Sequence, residues 1–212
     1  MRFTPRDIFE TEHLTLRPLE PADAPALFDS MLGDIDTMRD MPIPRHRSVA
    51  QTVQFIDEAR AGWLDASLIR YVLACRETGR LTALIELKPS LPRVEVGVII
   101  SRKGAARKRR AGVLALQELL DWLIEQPGVY RIFASCAVDG AAHSSMRRIG
   151  FECEGTLKSY EPRPNSHQLA ADSYLFAMTR PAPAPTPPAN EGVAWLRATM
   201  AWDIEEETEQ QA

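Results

Sequence analysis

One stretch constrains the fold of this chain more than any other: VEVGVIIS, then RKGAARKRR, then AGVLALQELLDWLIEQ and, after Pro127-Gly128, VYRIFASC. The first and last segments are apolar and β-branched enough to be strands. The third carries Val113, Leu116, Leu119, Leu120 and Leu123 at helix spacing, with Trp122 beside them. Strand, helix and strand in that order predict a right-handed crossover that lays the two strands parallel. Between the first strand and the helix stand Arg102, Lys103, Arg107, Lys108, Arg109 and Arg110. Cations beside the partial positive charge of a helix N-terminus are unfavourable by about 0.3–1 kcal/mol each when exposed. A bound polyanion offsets that cost, so the passage reads as a phosphate grip, with a solvated basic turn as the alternative.

These cations are a local feature, because the formal net charge of the chain is -4. That argues against a general nucleic-acid binder, whose face is basic throughout, and Lys108-Arg-Arg110 lacks the interleaved aromatics that stack on RNA bases. With 45% apolar and 25% charged residues, 212 residues suit one well-filled domain with an appendage. Cys75, Cys136 and Cys153 lie in apolar runs, are odd in number and show no paired metal-ligand spacing. They predict a reducing compartment and no metal site. The first residues lack the apolar core of a signal peptide, and no run reaches membrane-spanning length, so the expectation is a soluble cytoplasmic protein that does not engage membranes.

Around the crossover the pattern is regular. Residues 13–19, HLTLRPL, alternate as a strand, and Pro21 with Asp23 opens a helix through Leu27, Phe28 and Met31. Ser48 is placed as the N-cap of a second helix through Phe55 and Ile56. Three strands in a meander follow, Tyr71–Arg76, Leu81–Lys88 and Arg93–Ser101, with turns at Glu77–Arg80 and Pro89–Pro92. The long helix is expected from about Gly112 to Glu125, and the strand after it at Tyr130–Cys136. A short helix, about Ala142–Ile149, ends at Gly150 as a left-handed cap, and a closing strand pair covers Phe151–Tyr160 and Asp172–Arg180. The domain is expected over residues 1–180, a Pro-rich spacer over 181–191, and a tail with Trp195 and Trp202 over 192–212.

Three strings carry a family resemblance: Glu95-Val-Gly97; Leu119-Leu-Asp-Trp-Leu with Gln126-Pro-Gly-Val-Tyr-Arg-Ile132; and Arg148-Ile-Gly-Phe-Glu-Cys-Glu-Gly-Thr-Leu157. In these strings and in element order, residues 10–180 resemble the GCN5-related N-acetyltransferases, in the branch of the ribosomal-protein N-terminal acetyltransferases. The resemblance implies an α/β (α+β) fold with a central mixed, mostly antiparallel twisted sheet flanked by helices. It also implies a parallel strand pair splayed at the cofactor site. Acetyl-CoA would be the co-substrate, and the acceptor a small-molecule amine or a protein N-terminus, attacked directly in a ternary complex. A homodimer is compatible with this reading. So is a catalytically silent member that binds CoA or another phosphate-bearing ligand.

The resemblance also implies the site. Ile99, Ile100, Arg107, Lys108, Arg109, Arg110, Ala111, Gly112 and Val113 stand at the cofactor strand and pyrophosphate loop, with Arg110 where the family has glycine. Asp139 falls at the family's pantetheine-binding Asn. Glu95 is the base candidate, with a surface carboxylate paired to Arg93 or a meander neighbour as the alternative. Ser144 is the candidate donor to the leaving thiolate, and a helix N-cap at Ser144 or Ser145 is the alternative. Met41, Arg45, Trp63 and Tyr160 are expected to line the amine side, which the family builds from about residues 32–46 and 160–171.

Overall fold

A computed structural model describes residues 4–103, 109–140 and 142–181. The alternating segment near the N-terminus forms β2 (Leu14–Pro18), preceded by a two-residue β1 (Phe9–Glu10) that the sequence did not announce. Pro21–Asp23 is one turn of 3-10 helix, continued by α1 (Ala24–Leu27) and a π turn, Phe28–Leu32. A further short helix, α2 (Ile35–Met38), follows with Asp34 as its N-cap; the Thr37 backbone N–H donates to that carboxylate at 2.9 Å. Helix α3 (Val49–Asp65) starts at Ser48, as its spacing predicts.

The meander is β3 (Ile69–Cys75), β4 (Leu81–Ser90) and β5 (Arg93–Ile100). The crossover helix α4 (Arg109–Ile124) begins three residues before Gly112, so Arg109 and Arg110 have helical backbone. Arginine is a good helix former and glycine a poor one, so the helix does not wait for Gly112. Then come β6 (Arg131–Ala137), α5 (His143–Arg148), β7 (Glu152–Pro162) and β8 (Ala170–Thr179). Gly150 takes the expected left-handed backbone, φ 96°.

The strands form one sheet in the order β1-β2-β3-β4-β5-β6-β8-β7. Every neighbouring pair is antiparallel except β5 and β6. Both faces are buried. Leu16, Tyr71, Ile85, Val94, Ile132 and Phe176 pack with α4 on one face; Val72, Leu84 and Ile99 pack with α1 and α3 on the other. The compact unit that contains these elements ends at Arg180. The Pro-rich spacer beyond Pro181 and the tail with Trp195 and Trp202 lie outside the described residues.

One charged cluster is built into the α1–α3 face. The Arg70 guanidinium is buried over the Phe55 ring, 3.6 Å from its centroid, and donates to Glu86 at 2.6 Å and to the Phe55 carbonyl at 2.9 Å. Burial pushes the Glu86 carboxyl up, but its bonds from Lys88 and Arg70 outweigh this and hold it below the ordinary value. Removing one partner of such a pair leaves the other charge buried and uncompensated. Glu86→Gln should therefore lower unfolding free energy by about 3 kcal/mol in denaturant titration. The sign in acid follows from the lowered value. The Glu86 contribution is fully present above the unfolded glutamate value of 4.5 and is lost as pH falls through the lower folded value, so the Glu86→Gln variant should show a flatter stability profile in that acid range.

Candidate functional site

Strands β5 and β6 pair over only three residues: Arg93 with Arg131, Val94 with Ile132, and Glu95 with Phe133. Beyond that point each strand keeps its outer partner. Val96 to Ile100 remain paired with β4, and Ala134 to Ala137 with β8. The inner edges thus diverge toward their carboxyl ends, and each exposes backbone N–H and C=O groups that have no strand partner on that side. Backbone polar groups demand a partner, whether water or ligand. The chain leaving β5 leads directly to the N-terminus of α4, the place in an open α/β sheet where anionic ligands are held.

The alternation of the core assigns side chains to the two faces of this cleft. Val94, Val96, Ile132 and Ala134 belong to the α4 face, which leaves Glu95, Gly97, Phe133 and Ser135 on the α1–α3 face. Glu95, the base candidate, is half-buried on the last pair before the strands part, with Lys88 as its β4 neighbour. It forms no ion pair with Arg93 among the described residues. Lys88 is pushed down by burial, yet its bond to Glu86 raises it above the usual lysine value, with the charge of Glu95 adding to the effect. Gly97 is exposed, and a Cβ placed there would meet only the Glu86 Cβ, at 3.8 Å.

The other expected residues divide. Ile100 is exposed at the end of β5, whereas Ile99 is buried in the α1–α3 core and offers the cleft only its backbone. Ala111, Gly112 and Val113 are half-buried near the start of α4, and Arg109 and Arg110 share that helix; Arg107 and Lys108 lie outside the described residues. A Cβ on Gly112 would sit 3.7 Å from Leu73, an ordinary contact. Two cations of the basic segment are committed elsewhere. Lys103 Nζ pairs with Asp34 at 3.2 Å, and Arg102 Nη2 with Asp40 at 3.2 Å.

Ser144 is exposed in the first turn of α5, and neither it nor Ser145 caps the helix. The N-cap is Ala142, with no side-chain cap bond, which corrects the capping alternative. His143 is half-buried against the Tyr174 ring at 5.4 Å. Cys136 is pushed up to about 11, first by burial and then by the charge of Glu161, so it is a neutral thiol at physiological pH. Asp139 does stand just past the end of β6, but its Oδ1 accepts from Arg163 Nη2 at 2.6 Å and is not free.

On the amine side, Met41 and Arg45 lie together in the loop before α3. Arg45 donates from Nη1 to the Gly33 carbonyl at 2.9 Å, and its backbone N–H donates to Asn165 Oδ1 at 2.7 Å. Tyr160 is 54% exposed on β7, just after a bulge with Ser159 at φ 48°. Asp172 fastens that bulge by accepting from Lys158 and from the Ser159 backbone. Trp63, expected on the amine side, lies apart from these three residues. It packs edge-on against Tyr71, 5.1 Å between centroids, and lines a separate cavity of about 420 Å³ with Pro18, Leu19 and Leu64; its stacking partner sits on β3, two strands from the cleft. An aromatic ring needs apolar neighbours, and the nearest are the core rings around Tyr71.

Sequence reasoning missed two groups at the open end of the cleft. Glu161, buried on β7, accepts from the buried Ser173 hydroxyl of β8, and Arg163 is buried in the loop between those strands. The signal available was two charges alternating with two prolines in Glu161-Pro-Arg-Pro, too slight to separate from a surface turn. Among the described residues no cluster of His, Cys, Asp and Glu stands close enough to hold a metal ion, and no helix is long and apolar enough to cross a membrane.

A family model described as the acetyltransferase (GNAT) domain matches residues 13–152. Among solved structures, an acetyltransferase of the GNAT family from Bacillus anthracis is 20% identical, with a TM-score of 0.68 over 81% of this chain and 98% of that one. The ribosomal-protein-S5-alanine acetyltransferase from Vibrio fischeri is 14% identical, with a TM-score of 0.71 over 82% and 97%. A ribosomal L7/L12 alpha-N-protein acetyltransferase in complex with coenzyme A is 18% identical, with a TM-score of 0.71 over 82% and 98%. No curated protein matches by sequence.

Two glycines test the cleft. Gly97→Val adds a β-branched side chain to an exposed strand position without a backbone clash, so thermal stability should hold within about 0.5 kcal/mol. The same change fills the cleft, and the rise in melting temperature on adding coenzyme A should disappear. Gly112→Ala should stabilise the free protein by about 0.5–1 kcal/mol through helix propensity and should reduce the coenzyme A shift, since the added Cβ stands where the proposed phosphates approach that backbone.

Proposed function

Because this chain belongs to the GNAT acetyltransferase family, we propose that it transfers the acetyl group of acetyl-CoA to a primary amine. The amine is that of a protein N-terminus or a small molecule, and transfer is by direct attack in a ternary complex. The observation that carries this reading is the three-residue pairing of β5 with β6. The facing edges beyond it supply donors and acceptors along an extended track that ends at the N-terminus of α4. A pantetheine arm, with two amides in an extended chain, fits such a track as an added strand does. Its pyrophosphate would fall at the helix N-terminus, where α4 begins with Arg109, Arg110, Ala111 and Gly112. Solved structures of similar fold support the ligand: one holds coenzyme A, and another, a microcin C7 self-immunity acetyltransferase, holds acetyl-CoA and AMP. Others of that fold acetylate ribosomal proteins, which favours a protein N-terminus as the acceptor.

The residues of this chain divide the work as follows. The amine nitrogen must lose a proton as it bonds to the thioester carbonyl carbon, and Glu95, at the vertex of the cleft on the α1–α3 face, takes it directly or through one water. Backbone N–H groups on the free strand edges stabilise the oxygen as it becomes anionic. The thiolate then leaves with the carbon–sulfur bond's electrons and is protonated near the start of α5, where Ser144 stands. Cys136 stays protonated and takes no covalent part.

A second reading has its own observations. Arg110 occupies the glycine position of the family loop, and Asp139 is tied to Arg163, so a silent member that binds CoA without turnover is the competing function. One assay separates them. With acetyl-CoA and ribosomal N-terminal peptides or small amines, the active enzyme should release free thiol. Glu95→Gln should lower kcat about 100-fold while the KM for acetyl-CoA stays within about twofold. Stabilisation by acetyl-CoA without thiol release across the amine panel selects the silent binder; no stabilisation at all refutes both.

A further inference from the structure

Arg163 is only 3% exposed, although its two ion-pair partners are near the surface, Asp40 with a side chain 40% exposed and Asp139 with one 66% exposed. Its Nη1 lies 3.3 Å from Asp40 Oδ1 and its Nη2 2.6 Å from Asp139 Oδ1. Its Nε is buried and has no hydrogen-bond partner. The other oxygen of Asp40 accepts from Arg102 Nη2 at 3.2 Å, and the Arg102 backbone N–H donates to Thr37 Oγ1 at 3.0 Å. Two arginines and two aspartates therefore alternate in one chain, Arg102, Asp40, Arg163, Asp139. It runs from the end of β5 to the end of β6, across the side where those strands no longer touch.

A buried arginine with an orphaned N–H, held by carboxylates that water already solvates, is a poor stabilising device. Its desolvation is only partly offset, and such pairs are often replaced by apolar residues at no loss. The arrangement makes sense as a device for position. Asn165, two residues on, docks the same loop onto the segment before α3: its Nδ2 donates to the Met38 and Ile43 carbonyls at 2.7 and 2.8 Å, and its Oδ1 accepts from the Arg45 N–H. The two loops that flank the amine side are thus fixed to each other by Asn165, and to the exit of β6 by Arg163.

We propose that Arg163 is a positioning residue that braces the open end of the β5/β6 cleft, setting its width and the placement of the acceptor loops through Asp40 and Asp139. In this arrangement Asp139 serves the brace, a different use from that of the family's pantetheine-binding asparagine. The inference rests on the acetyl-transfer reading for its kinetic consequence but not for its structural one. Arg163 touches no reacting atom. It acts by fixing where the amine sits, and misplacement of that kind lowers rate without loss of the fold.

The test is a double-mutant cycle of Arg163→Met, Asp139→Asn and the pair, read in two ways. Amide hydrogen exchange in the free protein should quicken about tenfold over residues 38–45 and 163–169 in each single variant, and no further in the pair, while β3 and β4 keep their protection. In turnover, kcat/KM for the amine should fall about tenfold in each variant, again without additivity, with KM for acetyl-CoA within about twofold. Arg163→Lys, which reaches one carboxylate, should recover part of the loss. Unchanged exchange in both single variants, or additive effects in the pair, overturns the proposal. If the wild-type protein proves to be a silent binder, the exchange cycle still decides whether the brace exists. Should Arg163→Met fail to fold, Asp139→Asn decides alone: exchange unchanged in it refutes the brace, and faster exchange confined to the two loops supports it.

Discussion

The structure depends on a parallel pairing that stops after three residues. In a sheet whose other neighbours are joined along most of their length, β5 and β6 share Arg93 to Glu95 and then part, each still held by an antiparallel partner on its outer side. Two consequences are forced by this. The backbone groups on the inner edges must find a partner that is not a strand, and the α4 crossover must deliver its N-terminus to the end at which the gap opens. The proposed binding rests on main-chain geometry first and on side chains second. The proposed site therefore does not require the glycine and asparagine that the family resemblance implies at Arg110 and Asp139.

Charge is distributed around that gap in two separate systems. On one side of its vertex, Arg70 and Lys88 share the Glu86 carboxylate, with Glu58 as a second partner of Arg70, and this leaves Glu95 beside a cation that is already engaged. At the open end, Arg102 and Lys103 turn back onto Asp40 and Asp34, so part of the basic segment anchors α2. Asp34 is pushed up by burial, but the Thr37 bonds, with Lys103 behind them, hold it below the usual aspartate value. The basic segment therefore has two physical jobs. Its first residues fasten a helix, and the phosphate contact proposed for this chain falls to the residues after them.

Much of the fold was legible because its elements obey local rules. Ser48 capped α3, Gly150 took the left-handed turn after α5, and the stripe from Val113 to Leu123 lay against the sheet. The elements that were not legible, β1 and α2, are two and four residues long and owe their form to a neighbour: β1 to its pairing with β2, α2 to the Asp34 cap and the salt bridge from Lys103. The site was legible unevenly for the same reason. Glu95 and Gly97 could be placed by alternation along one strand. Trp63 could not, since an aromatic on an amphipathic helix points wherever the nearest apolar surface lies, and here that was Tyr71.

The sequence alone determined that this chain has a crossover between parallel strands, that cations gather at the start of its helix, and that one carboxylate falls on the strand leading into it. These are matters of order, period and composition, and neighbours along the chain decide them. Only the tertiary structure decided where the parallel strands separate, which cations were already paired, and that Arg163 meets Asp139, 24 residues away in sequence, and Asp40 as well. Pairing between distant strands and loops depends on the twist of the whole sheet and on which partners compete for each charge, and neither is written in any one segment.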